Sequence, residues 1–346
     1  MVTQVQKRPQ IVSVMNATMY DLVFSPAAEA KLGHFAGFSR YRGEKDADEE
    51  ELIELLRGAD GAITGWGVRL SDRVIEATNL KIIGHAAGSV KGFPAAIWER
   101  GIAVTHAAPV IAVAVGEMAL ALTLACLCHF PAHDAAFKQK GLPGEPTFQP
   151  KLLASRSLHE LRLGIVGASA TGREFLKLLK AFGDVEVWIA DPYLSPEEAS
   201  ALGARLAPLE ELLSQCDVVS LHCPLLPETQ HLINTRTVKL LKDGAVLINT
   251  ARGALVDHDA LLPELQSGRI SAGLDVYLET LHGDADAITS SQYRQLSNVM
   301  ITPGIAGPAG TITKRMSLFI AEEMERFFSG QPLAKQVTQD MLARIA

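Results

Sequence analysis

The chain is poor in cysteine, with four thiols in 346 residues, at 126, 128, 216 and 223. That is too few for a disulfide framework in a chain of this size, and a reducing cytoplasm is expected. No block of Lys or Arg occurs and the formal net charge is −7, which removes the electrostatic footprint that nucleic-acid binding requires. The opening stretch MVTQVQKRPQIVSVM lacks the continuous apolar segment of a secretory signal, so none is expected. No low-complexity tract occurs, and no G-x-S-x-G elbow sits between a strand and a helix to support a serine nucleophile.

One long apolar run is present, AVAVGEMALALTLACLCHF at 112–130. Glu117 near its start and Pro131 after its end argue against a membrane span, and a buried helix crossing between domains is expected. The adjoining CLCHFPAH (126–133) holds two Cys and two His. Cys126 and Cys128 are two apart and do not share a helix face, so no metal site is expected.

What remains is a globular composition, 48% hydrophobic and 21% charged, long enough for two domains. Short apolar runs alternate with helical segments of about ten residues, the pattern of βαβ units and parallel sheets. QIVSVM, DGAITG, LKIIGHAAG and GIAVTHA read as strands of a first series. LRLGIVG, VEVWIADP, DVVSLHCP, GAVLINTARG, AGLDVY and NVMITPG read as strands of a second, with TRTVKLLKD and DHDALLPELQSG among its helices. Between the two lies a Pro- and Gly-broken stretch after residue 128, expected as a surface arm or linker. A final amphipathic helix over about 309–329 is expected to return to the first domain. The domain reading is therefore 1–112 with 305–346, and 113–304 inserted between them.

GIVGASATG, residues 164–172, joins a strand to a helix. Its positions Gly167, Ser169 and Gly172 follow the G-x-G-x-x-G spacing with serine at the middle glycine. A loop of this kind offers backbone N–H groups at a helix N-terminus to a pyrophosphate. The next strand ends in Asp191, 19 residues after Gly172, close to the spacing of the acid that takes the adenosine ribose hydroxyls. An Asp there repels a 2′-phosphate, so NAD is expected rather than NADP.

From LLKDGAVLINTARGALVDHDAL (240–261), together with ADPYLSPEEA, CDVVSLHCPLLPETQHLIN and AGLDVY, the chain resembles the NAD-dependent D-2-hydroxyacid dehydrogenases over nearly its whole length. This family includes phosphoglycerate, glycerate and D-lactate dehydrogenases. The resemblance implies an α/β protein of two doubly wound parallel-sheet domains, a Rossmann-type coenzyme domain inserted into a flavodoxin-like substrate domain. It implies an active site in the cleft between them, a cytoplasmic homodimer, and a small 2-hydroxy or 2-oxo acid as substrate. It further implies that Ala170 and Thr171 supply pyrophosphate N–H groups, and that His222, Cys223 and Pro224 line the adenine and ribose side with Thr229 near the phosphate. Thr250 and Ala251 would lie along the nicotinamide ribose and Asp275 would bind the carboxamide. Arg252 would grip the substrate, a task suited to a guanidinium that pairs bidentately with a carboxylate. Backbone groups of Ala87, Gly88 and Ser89 would complete the carboxylate pocket.

Two positions depart from the family. Its motif TPHIAG reads TPGIAG here, so Gly304, beside the cofactor, stands where the acid/base histidine would be. The partner glutamate, five residues after the GLDV aspartate, is Thr280, with Glu279 one residue earlier as the acidic candidate. Three readings follow: a dehydrogenase whose proton comes from another group or water, an NAD-binding protein without turnover, or different chemistry in the same pocket. His106 and Lys91 are the substitute donors to test first, ahead of His85 and His282.

Overall fold

The computed structural model describes residues 8–140, 155–276, 292–307 and 310–345. Chain order begins β1 (Gln10–Ser13), α1 (Ala17–Val23), α2 (Pro26–Phe35), β2 (Gly37–Arg40), α3 (Glu49–Leu55), β3 (Gly61–Thr64), α4 (Asp72–Glu76), β4 (Ile82–His85), α5 (Ala96–Glu99) and β5 (Ala103–His106). It continues through α6 (Ala108–Leu127), α7 (Phe130–Lys140), β6 (Arg162–Val166), α8 (Ala170–Leu179), β7 (Glu186–Ala190), α9 (Pro196–Ala201), β8 (Arg205–Leu206) and α10 (Leu209–Gln215). Then come β9 (Val218–Leu221), β10 (Val246–Asn249), α11 (His258–Gln266), β11 (Ser271–Leu274), β12 (Val299–Ile301), α12 (Thr311–Phe328) and β13 (Gln336–Val337). Two compact units result, 1–111 with 308–346, and 112–307.

The first unit holds a six-stranded sheet in the order β13-β5-β4-β3-β1-β2. Its five parallel strands run 2-1-3-4-5, the flavodoxin-like order, and β13 adds an antiparallel edge on β5. Alternate residues face opposite sides, as a strand period of two demands. Ile83 and Val104 join Leu52, Val74 and Ile97 of α3, α4 and α5, with Leu56 just after α3, on one face. Ile82 and Ile63 join Leu32 of α2 with Met316, Ile320 and Met324 of α12 on the other. Gly84 is what lets α12 lie so close, since a Cβ there would stand 2.5 Å from Ile320 Cγ2.

The second unit holds seven parallel strands in the order β12-β11-β10-β9-β6-β7-β8. Its strands are buried on both faces and read as apolar runs for that reason. Phe175, Leu176 and Leu179 of α8 pack with Ala119, Leu122 and Cys126 of α6 over one face. More than half of the most apolar stretch of α6 is buried inside the fold; it is a core helix. All four cysteines carry free thiols.

Helix starts follow local chemistry. Asp48 and Glu51 form a reciprocal capping box at α3, as do Ser195 and Glu198 at α9, where Pro196 takes the first turn. Two elements differ from expectation. TRTVKLLKD makes only a single tight turn, Val238–Leu240, because the Arg269 guanidinium takes the Val238 and Leu241 carbonyls that a longer helix would use. The stretch expected as linker carries α7, whose Pro131 sits in the first turn where no N–H is needed. The short polar edge strands β2, β8 and β13 carry no apolar run and escape sequence reading.

Candidate active site

In the second sheet the strand order reverses between β6 and β9, and in open α/β sheets ligands bind outside the strand C-termini at such a switch point. Gly167 follows β6 at φ +96°. A Cβ there would stand 2.7 Å from the Cys223 backbone N that follows β9. At Gly172 a Cβ would run into the Gly167 carbonyl oxygen. Both glycines are thus fixed by contact, the first by strand-end crowding and the second by the seating of α8 on its strand.

Ser169, at the middle position, is the N-cap of α8. Its Oγ accepts from Gly172 N at 3.4 Å and lies 3.0 Å from Thr171 Oγ1. The N–H groups of Ala170 and Thr171 open the helix and carry no partner among the described residues, which is the anion-binding feature of a helix N-terminus. His222 is turned inward. Its Nδ1 lies 3.1 Å from Thr171 Oγ1 and its Nε2 2.9 Å from Ser220 Oγ, and its ring stacks on Phe175. Both nitrogens are committed, so this side chain braces the loop from below. Burial pushes its pKa down to about 3. Cys223 is buried, its thiol pushed up to about 12 by desolvation. Thr229 Oγ1 donates to the Pro224 carbonyl at 2.7 Å and closes that turn on itself.

Asp191 sits half-buried after β7. One carboxylate oxygen accepts from Ala168 N at 2.7 Å, the other from Tyr193 N at 2.9 Å. It ties the glycine-rich loop to the end of β7 while staying in contact with solvent.

After β10, Asn249 shapes the next loop. Its Oδ1 accepts from Ala251 N at 3.0 Å and its amide donates to the Arg252 carbonyl at 2.8 Å. Sequence reading passed over Asn249; an Asn at a strand end, able to bond the backbone two residues on, is the signal that would find it. Thr250 is buried, yet its Oγ1 has no hydrogen-bond partner among the described residues. Arg252 is exposed, and its guanidinium donates to the Ala251 carbonyl at 2.7 Å. Desolvation by the surrounding protein lowers the guanidinium pKa, and a guanidinium starts high enough to stay cationic. Among the described residues no carboxylate pairs with it.

Asp275 is buried and anchors the TPGIAG loop. Its Oδ1 accepts from Thr302 Oγ1 at 2.6 Å and Ile305 N at 3.0 Å, its Oδ2 from Ala306 N at 3.0 Å, and its carbonyl from Gly304 N at 2.7 Å. Gly304 itself adopts φ +69°, a conformation costing a side-chain-bearing residue about 1–2 kcal/mol. The position is therefore a left-handed turn in its own right. Glu279, Thr280 and His282 lie outside the described residues.

In the first unit, Ala87 is buried in the loop after β4, with Gly88 half-buried and Ser89 exposed. His106, at the end of β5, puts Nδ1 2.7 Å from the Gly88 carbonyl. His85, at the end of β4, puts Nδ1 2.8 Å from Thr64 Oγ1. Burial lowers both imidazoles, His85 to about 4. Lys91 is exposed.

The groups at the switch point fit a dinucleotide: an orphaned buried hydroxyl at Thr250, uncapped N–H groups on α8 and a Gly167 whose Cβ would close the approach.

Residues 120–306 match the model of the D-isomer specific 2-hydroxyacid dehydrogenase, NAD binding domain. The chain is 32% identical over 293 residues to a D-3-phosphoglycerate dehydrogenase of Methanocaldococcus jannaschii, covering 84% of this chain and 53% of that one. It thus spans about half the length of that relative. It is 32% identical over 296 residues to a glyoxylate reductase of Thermococcus litoralis, covering 84% and 87%. The crystal structure of a Thermus thermophilus protein is 31% identical, with a TM-score of 0.73 over 95% of this chain and all of that one.

The inward pose of His222 makes stability depend on pH. The unfolded chain protonates this ring near pH 6.5 while the native state resists until about pH 3. Stability from this group is therefore complete above pH 6.5 and falls on acidification toward pH 3, by about 1.4 kcal/mol per pH unit. Urea unfolding at pH 7 and pH 5 measures this, and His222→Gln flattens the slope. Asp275→Asn turns a donor toward the Ala306 N–H and costs a charge-assisted bond of about 1.5–3 kcal/mol. Hydrogen exchange over 302–306 accelerates accordingly, with weakened NADH binding in a fluorescence titration.

Proposed function

Because the chain belongs to the D-isomer specific 2-hydroxyacid dehydrogenase family, we propose that it reduces a small 2-oxo acid to the D-2-hydroxy acid with NAD. The NAD(P)-binding domain is that of the family; the preference for NAD rests on Asp191, whose carboxylate at the end of β7 repels a 2′-phosphate. A bound reduced nicotinamide supplies the hydride that reaches the carbonyl carbon. The observation that carries the reading is Arg252, a cation with no carboxylate partner among the described residues, held by the Asn249 turn just beyond the orphaned Thr250 hydroxyl.

Arg252 takes the substrate carboxylate and keto oxygen, and the backbone N–H groups after β4 take the carboxylate. Asp275 fixes the 302–306 loop, and its remaining lone pair is open to a carboxamide. With Gly304 in place of the acid/base histidine, the proton that the alkoxide gains comes from water. Loss of one general acid lowers the rate by about 10²–10⁴, which leaves slow turnover. We infer a homodimer as well: α6 leaves Leu120 and Leu124 partly uncovered and Ala121 exposed, and light scattering at twice the chain mass of 37.2 kDa is the expected result. Four free thiols agree with a reducing cytoplasm. Gly304 also favours a second reading, a protein that binds NAD and an acid without turnover.

NADH oxidation with a panel of 2-oxo acids tests both. The wild type turns over slowly, and Arg252→Ala lowers kcat/KM by at least about 10²-fold, the loss of a bidentate charged contact. Gly304→His raises kcat despite its backbone strain. A silent wild type beside an active Gly304→His establishes the second reading.

A further inference from the structure

His85 and His106 are partners in register at the C-terminal ends of the parallel strands β4 and β5. The two rings part there. His85 Nδ1 lies 2.8 Å from Thr64 Oγ1 at the end of β3, and Phe93 meets its ring edge at 5.2 Å between centroids. His106 instead reaches into the loop that follows β4. The Gly88 carbonyl accepts from it, which fixes a proton on Nδ1 because a carbonyl can only accept.

The consequence lies on the loop's other side. In a trans peptide the C=O and the following N–H point in opposite directions, and the described chain has no cis bond. With the Gly88 carbonyl drawn to His106, the Ser89 N–H turns away from the ring. That N–H has no partner among the described residues, and an outward backbone N–H without a partner suits an anion.

We propose that His106 is a positioning residue, a clamp that pulls the Gly88 carbonyl inward and so aims the Ser89 N–H at the substrate carboxylate. The assignment rests on the dehydrogenase reading for the identity of the anion. It gives His106 a task other than the direct proton transfer for which it stood as a substitute.

The test uses the full chain, saturated with NADH, and oxamate as the carboxylate probe. His106→Ala removes the donor and leaves Gly88 free to turn. Oxamate affinity falls about tenfold, the equivalent of one hydrogen bond. KM for a working 2-oxo acid rises by the same factor, while kcat and NADH affinity stay within about threefold. His106→Asn keeps an N–H donor and restores most of the oxamate affinity. In the cofactor-free protein, amide exchange over 88–90 accelerates in His106→Ala and returns toward wild type in His106→Asn. Unchanged oxamate affinity in His106→Ala overturns the clamp and leaves the dehydrogenase reading standing. A fall in kcat with KM unchanged, unrescued by Asn, overturns the positioning role in favour of proton transfer. A wild type that binds NADH but no oxamate overturns the clamp and the dehydrogenase reading together.

Discussion

The contact on which the second unit depends is the approach of α8 to the end of β6. Gly172 sits against the Gly167 carbonyl and Gly167 against the Cys223 backbone, so three chain segments meet where a single methyl group would separate them. That closeness brings the N-terminus of α8 to the switch point between β6 and β9. It also explains the inward pose of His222, which fills the space beneath Thr171 with a ring both of whose nitrogens are satisfied. Serine at the middle glycine position is compatible with this arrangement because its hydroxyl turns back onto its own helix as a cap, leaving the first N–H groups open.

A second device is built the same way from backbone contacts. Asp275 commits a buried carboxylate to the Thr302 hydroxyl and the Ile305 and Ala306 N–H groups, with its own carbonyl adding the bond from Gly304. Charged acceptors make the stronger hydrogen bonds, and an acid removed from water is held there only by such donors. The loop is therefore shaped by Asp275 and by the left-handed φ of Gly304.

Strands buried on both faces were legible because they read as apolar runs, and the glycine-rich loop because its spacing follows from the strand–helix packing. Arg252, Asp191 and Asp275 could be named from motifs, yet what each does locally could not. That Asp191 ties Ala168 to Tyr193, that Asn249 builds the Arg252 turn and that His106 holds the Gly88 carbonyl all depend on pairings the motifs do not spell out. The short tight turn at 238–240 was misread as a helix because its competitor, Arg269, lies 29 residues beyond the last of those positions. Local propensity has no access to such a rival.

These features separate two properties that usually travel together. The proposed cofactor contacts draw on Gly167, Gly172, the α8 terminus, Asp191 and Asp275, and none of the bonds these make involves a side chain at 304. The loop bearing Gly304 is fixed through backbone N–H groups, which any residue but proline supplies. A glycine meets the φ of that turn at no steric cost, and a histidine in the same conformation would carry strain. Under the proposed function, the cost of the glycine is thus confined to one chemical step, and the backbone bonds that shape the loop do not depend on whether that step is fast.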